Sequence, residues 1–345
     1  LSQTDLIAFC ASLFFTSFAA WPILKALIAL KSRQNVYSLA PQTHQKKQGT
    51  PTMGGIIVLF GVLVGVLIAK PDWQLCLWVV GFGLIGFTDD YVVPRLIKGK
   101  RGLGWKQKIA AQVVLAVLAV PVFHLPWTGS TVATMAFLVL AYSNAYNFAD
   151  GLDGLSGSLG LLLSFGFLIL SRSVTPDVVP TQALYALIGG FIPFLFLNAP
   201  PAKVFMGDVG SLPIGALFGA CSTLIVTSHF SFTQQFPREN GAHYLLASGS
   251  GSIMILPVLI LSLVMVAELL PVPLQVGYFK LTKKRLFPMT PIHHSFEVKG
   301  WPESRVVWCF ALTQLTLTLL ACMTVQAFRQ AIIAQDNQIE VQTGR

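Results

Sequence analysis

Long apolar runs broken by short polar stretches dominate this chain. Ten can be marked, at about 5–28, 53–69, 73–88, 107–125, 131–146, 155–171, 181–197, 211–228, 249–270 and 304–325. A helix needs about 20 apolar residues to cross a bilayer. The pattern therefore predicts an all-α fold, a polytopic integral membrane protein with about ten transmembrane helices. Runs three and five are short, and Pro193 and Pro257 interrupt two others. Such breaks predict helices that bend or stop beside a protein-lined cavity, where freed backbone groups find partners. The connections leave little room for a soluble domain, so residues 1–345 read as a single integral membrane domain. No basic stretch precedes the first run and Lys25 lies within it, so a span is expected there rather than a cleaved leader.

Composition agrees. With 54% hydrophobic and 11% charged residues and a mean hydropathy of +0.68, an ordinary soluble domain is excluded. The net charge of +9 raises the question of nucleic acid, but no basic helix or aromatic-interleaved patch stands on a soluble segment. No nucleic-acid partner is expected; the lipid bilayer is. Seventeen of the 23 Lys and Arg residues fall in segments 31–50, 89–108, 198–210 and 279–305. Positive charge gathers on the cytoplasmic side. That places loops 31–50, 89–108, 144–155, 198–210 and 279–303 in the cytoplasm and both termini on the extracytoplasmic face. The five cysteines are scattered through apolar segments at no metal-ligand spacing and read as small buried side chains.

Against this background five of the fourteen acidic residues stand out, because they sit at the ends of apolar runs in three patches: FTDD at 87–90, NAYNFADGLDGLSG at 144–157 and FMGDVGS at 205–211. Carboxylates beside lipid-length segments are costly unless they hold something positive. A transporter, a channel and a metal-dependent membrane enzyme could each use them. The charge census brings all three patches to the cytoplasmic side. Asp89 and Asp90 repel one another and need a cation or basic partners to stay ionised, and the following VPRLIKGKRGLGWKQK supplies six cationic groups.

Asn144, Asn147, Asp150 and Asp153 recur every three residues, a loose polar stripe if helical, while Gly151 and Gly154 let the backbone turn tightly. The Asp-Gly repeats do not fit a calcium loop, whose spacing differs. In the third patch Asn198 and Lys203 precede Phe205, which on an exposed loop would stack on a base or sugar or else dip into the bilayer interface. Asp208 and Ser211 stand where a helix N-cap is expected, and a capping Asp with a free oxygen can also hold a metal. His293 and His294 lack the nearby third His or Cys of a zinc site, which leaves a phosphate contact or support for a carboxylate.

Together these motifs resemble one family, the phospho-N-acetylmuramoyl-pentapeptide transferases. The matching elements are GTPTMGG at 49–55, GFTDDY at 86–91, NAYNFADGLDGLSG at 144–157, NAPPAKVFMGDVGSL at 198–212 and LQVGYFKLTKKRLFPMTPIHHSFEVKGWPE at 274–303, in order along the chain. The resemblance implies transfer of phospho-N-acetylmuramoyl-pentapeptide from its UDP carrier to undecaprenyl phosphate, with magnesium as cofactor. UMP is released, and the first lipid intermediate of peptidoglycan is formed. It implies a homodimer in the bacterial cytoplasmic (inner) membrane with the active site on the cytoplasmic face. The catalytic residues it implies are Asp89, Asp90, Asp208, His293 and His294, with Asp208 as the metal ligand. The substrate-binding residues are Lys47, Lys108, Asn144, Asn147, Asp150, Asp153, Asn198 and Phe205.

Three departures from the family pattern accompany the match. Ser295 stands where a third consecutive histidine is usual, Val92-Val93-Pro94 follow the DDY motif where Lys is often found, and 229–247 is longer than usual. Two rival readings remain at this level. A sister enzyme would transfer N-acetylglucosamine-1-phosphate from its UDP carrier to a polyprenyl phosphate; the 288–303 segment argues against it. A transporter would place charges deep within spans and repeat its architecture; Glu268 alone lies well inside a late run.

Overall fold

In a computed structural model, residues 2–30, 49–100, 102–174, 178–238 and 241–343 are described. Lys47 and nearly all of loop 31–50 lie outside them. Each of the ten apolar runs is helical: α1 (Gln3–Ala29), α2 (Gly55–Ala69), α3 (Trp73–Phe87), α4 (Trp105–Val122), α5 (Gly129–Phe148), α6 (Leu155–Ser171), α7 (Thr181–Asn198), α8 (Asp208–Thr227), α9 (Ile255–Leu269) and α10 (Glu303–Thr343). Among the described residues, seven helical stretches are long and apolar enough to cross a membrane, whereas α2 and α6 are shorter apolar helices. Short helices at Val93–Leu96, Pro271–Thr282 and Ile292–Val298 complete the helical part.

One segment departs from the all-helical expectation. Residues His229–Arg238 (β1) and Gly241–Ser250 (β2) pair as an antiparallel hairpin, with His229 opposite Ser250 and Arg238 opposite Gly241. The ninth helix consequently starts at Ile255, after a 3-10 turn, rather than near 249. The sequence contains the reason: FSFTQQF and YLL are rich in aromatic and apolar residues that favour strands.

Helix α8 is the axis of the bundle. Every residue from Val209 to Ile225 is buried, and the helix packs against α5, α3, α6, α2 and α9. Beyond Asp208 the helix carries no charge, and Ser222 and Thr223 donate to carbonyls of their own helix, so it can be enclosed on all sides. Around it, α1 lies on α2 and α7, and α10 on α6 and α9. The outer helices expose Phe14, Phe18, Trp21, Phe196, Trp308 and Met323, a surface suited to lipid. The polar positions collect where α3 and α5 end and α8 begins. That end of the bundle holds the site.

Candidate active site

The chain leaves α3 through a single π-turn, Thr88–Val92, which contains both Asp89 and Asp90. In an α-helix neighbouring residues diverge by about 100°; a wider turn reduces that divergence, and π-turns occur preferentially at functional sites. Asp208 approaches from the first position of α8. Two glycines permit this. A Cβ on Gly86 would lie 2.3 Å from the backbone of Asp208. Gly207 adopts φ +69, and a Cβ there would meet Thr52 Oγ1 at 2.6 Å and Asp90 Oδ2 at 2.7 Å.

One oxygen from each of Asp89, Asp90 and Asp208 lies within 4.8 Å of the others. Lys108, near the start of α4, places its ammonium against Asp208 Oδ2 and 3.5 Å from Asp89 Oδ2. The remaining contacts are fixed by the surroundings. Leu103 N–H donates to Asp89 Oδ1 at 2.6 Å, Val209 N–H to Asp90 Oδ2 at 3.3 Å, and Asn147 Nδ2 to Asp208 Oδ1 at 2.6 Å. Three carboxylates around one ammonium retain excess negative charge. The set is all hard oxygen donors, with a cation already seated among them, and it fits magnesium.

The second and third patches are tied to this cluster. Asp150 accepts Gly207 N–H on Oδ2 at 2.7 Å and Ser156 Oγ–H on Oδ1 at 2.8 Å. Burial pushes its carboxyl up to about 6, with those two donors opposing the shift. Asp153 accepts Ala202 N–H at 2.9 Å, and its own N–H donates to Glu303 Oε1 at 2.7 Å. Asn198, fully buried, accepts Gly154 N–H and donates to Val204 O. Asn147 also donates to Ser211 Oγ, and Asn144 donates to Gln112 Oε1 and Leu140 O.

Phe205 is 2% exposed, not on an exposed loop as expected. Its backbone explains the burial. Phe205 N–H donates to Pro51 O, Gly54 N–H to Phe205 O and Gly55 N–H to Met206 O, so the 49–55 motif clamps the segment leading to Asp208. Both histidines converge on the turn after α5: a Cβ on Gly151 would meet His293 Nε2 at 2.5 Å and His294 Nε2 at 3.2 Å. His294 Nδ1 pairs with Glu297 Oε2 at 2.6 Å. Of the predicted site residues other than Lys47, which is not described, Asp89, Asp90, Asp208, Lys108 and Asn147 meet in one cluster, Asp150 and Phe205 hold the segment leading to Asp208, and Asn144, Asp153, Asn198, His293 and His294 bond to other neighbours.

Comparison with known proteins gives this assembly a family. Residues 73–226 match glycosyl transferase family 4, and residues 47–59 match phospho-N-acetylmuramoyl-pentapeptide-transferase signature 1. A phospho-N-acetylmuramoyl-pentapeptide-transferase of Heliobacterium modesticaldum is 37% identical over 330 residues, covering 89% of this chain and 93% of that protein. Those of Thermodesulfovibrio yellowstonii and Clostridioides difficile are 34% and 35% identical, covering 93% and 94% of the chain and 92% and 98% of their own lengths. The chain belongs to the phospho-N-acetylmuramoyl-pentapeptide-transferase family.

One residue of this transferase-family site carried no signal of its own in the sequence: Gln112 sits in an apolar helix as the partner of Asn144. Gly86 and Thr52 lay within quoted motifs, and their closeness to Asp208 and Gly207 shows in the packing. Glu268 is different. A carboxylate inside a membrane helix demands a partner, and that demand was readable; the partner was not.

Proposed function

We propose that the protein transfers phospho-N-acetylmuramoyl-pentapeptide from its UDP carrier to undecaprenyl phosphate, with release of UMP. The meeting of Asp89, Asp90 and Asp208 around Lys108, in a chain of this family, carries the reading. Both substrates are phosphates, so the reacting centre is densely negative. A phosphate oxygen of the lipid acceptor attacks the sugar-bound phosphorus of the donor. The bond to the UMP oxygen breaks, and a new diphosphate joins lipid and sugar. Magnesium, when bound by Asp208 with Asp89 or Asp90, supplies positive charge against the diphosphate and the departing UMP.

The chain's own groups do the rest. Lys108 turns its ammonium from the carboxylates toward substrate phosphate and offsets charge there. A phosphate monoester has its second pKa near 6, so the acceptor is mostly dianionic at neutral pH and needs no base to remove a proton. Asp89 therefore positions metal or acceptor. Asn147 orients Asp208, and Asn144, Asp150, Asp153, Asn198 and Phe205, together with Lys47, shape the nucleotide side. His293 and His294 complete the site from the last loop.

We also infer a topology of ten crossings in one membrane domain over residues 1–345, with both termini extracytoplasmic, a homodimer, and an active site on the cytoplasmic face of the bacterial inner membrane. The concentration of Lys and Arg in the four loop segments supports that orientation. The deciding assay supplies purified protein with undecaprenyl phosphate, magnesium and, separately, the UDP-linked muramoyl-pentapeptide or UDP-N-acetylglucosamine. Lipid-linked product and UMP are expected from the first only; product from the second alone would overturn the assignment.

A further inference from the structure

Helix α9 carries the carboxylate that the site above does not use. Glu268 is fully buried within the apolar stretch Ser252–Thr282, which is long enough to span a membrane. A carboxylate in that setting is expensive and is retained where it serves a partner. The partner is His293, also fully buried, whose Nδ1 lies 2.9 Å from Glu268 Oε2. Among the described residues, Glu268 Oε1 and His293 Nε2 have no hydrogen-bond partner. Two half-satisfied groups at zero exposure are costly as pure structure, since each unmet polar atom carries a desolvation penalty.

The geometry gives the pair a use. A carboxylate at Nδ1 takes the Nδ1–H, so a neutral His293 must leave Nε2 as the bare acceptor. That nitrogen faces Gly151, where even a methyl group would come within 2.5 Å. The ring also lies against His294, with centroids 4.1 Å apart. Gly151 follows Asp150, whose carboxylate holds Gly207 N–H beside Asp208. The pair thus packs against His294 and against the turn that supports Asp208.

We propose that Glu268 is a positioning residue for the transfer reaction: it fixes the tautomer and tilt of His293, and thereby the seating of His294 and the 150–154 turn at the site. The kinetic consequence rests on the transfer reading; the tautomer does not. Partners that orient metal-ligating histidines typically matter about 10- to 100-fold when changed, and an effect of that size is expected for this orienting carboxylate.

Two variants separate positioning from stability. Glu268→Gln keeps size and hydrogen-bonding capacity but can donate as well as accept, which frees His293 to exchange tautomers. The double change Glu268→Leu/His293→Leu replaces a buried polar pair by apolar side chains, an exchange that is often neutral or stabilising. With only six histidines in the chain, 15N-histidine labelling resolves His293 in the resting, substrate-free protein. The expected results are a fixed Nδ1–H tautomer in the wild type, a mixture in Glu268→Gln, and kcat lowered about 10- to 100-fold with donor KM little changed. The double variant should melt at or above the wild-type temperature and still be slow. Wild-type kcat in either variant, or an Nε2–H tautomer in the resting protein, would overturn the proposal. If the wild type did not transfer the muramoyl substrate at all, the transfer reading would fail while the tautomer result still decided the role of Glu268.

Discussion

At the polar end of the bundle two sets of acidic residues lie side by side and use their oxygens differently. Asp89, Asp90 and Asp208 lie close together, the Lys108 ammonium contacts Asp89 and Asp208, and each carboxylate is held by one neutral donor. Asp150 and Asp153, with Asn198, instead accept backbone N–H groups of Gly207, Ala202 and Gly154. The first arrangement concentrates charge and invites a cation. The second neutralises loop amides and fixes where α8 begins. In sequence both look like acidic patches beside apolar runs; the closeness of the three carboxylates and the Lys108 ammonium beside them distinguish the charge-bearing site from its scaffold.

The sharpest break of that comparison is Asp208→Asn. The amide keeps the shape but offers one acceptor oxygen, enough for Lys108 or Asn147 and not both, and it removes a unit of charge from the cluster. Turnover should fall about 10²- to 10³-fold with the melting temperature near wild type. Steady-state kinetics beside thermal melts checks both halves, and a variant within a few-fold of wild type would remove Asp208 from the charged set.

Lys108→Met tests the same set from the cationic side. Turnover should fall about 100-fold. The metal-free protein should also lose stability, because three carboxylates are left with no ammonium. Magnesium should then raise its melting temperature more than it raises that of the wild type, since a bound ligand stabilises only the folded form. Equal magnesium shifts in the two proteins would separate Lys108 from the three carboxylates.

Asn198→Ala addresses the scaffold. It strands Gly154 N–H and Val204 O in a buried place, at about 1–3 kcal/mol for each group. The loss should appear in the melting temperature and in donor KM, with kcat of the folded enzyme little altered. A collapse of kcat with unchanged stability would move Asn198 across to the reacting side.

How much of this was readable beforehand follows the physics of each feature. The helical runs were legible because long apolar stretches fold as helices, and among the described residues seven helical stretches are long and apolar enough to cross a membrane. Asp89, Asp90 and Asp208 were legible because charge beside lipid is rarely idle. The π-turn at Thr88–Val92 was not, since FTDDYV has no marker that separates a wide turn from an ordinary helix. Phe205 was misjudged as exposed because its polar neighbours suggested an open loop, whereas the pairing that buries it runs to Pro51 and Gly54, far away in sequence. The hairpin at 229–250 was passed over as an unusually long external segment, although its strand-forming residues were present. Glu268 could be flagged, but the bond to His293 depends on how Ile292–Val298 folds back on α9.

The smallest expected effect falls on Asp150, and its sign separates scaffold from site. Burial holds this carboxyl at about 6 in the folded protein, against about 3.9 for an unperturbed Asp. The folded state therefore binds the proton more tightly than the unfolded state does. The contribution of Asp150 to stability is greatest below pH 4, declines as the pH rises from about 4 to about 6, and is level above that. Its partial exposure keeps the change to no more than about 1–2 kcal/mol. Asp150→Asn removes the titration while retaining an acceptor for Gly207 N–H. In chelator, the melting temperature of the variant relative to wild type should rise between pH 4 and pH 6 and then stay constant. A difference that ran the opposite way would mean that Asp150 is held ionised by a positive group, and so that it belongs with Asp208 in the charged set rather than with the braces.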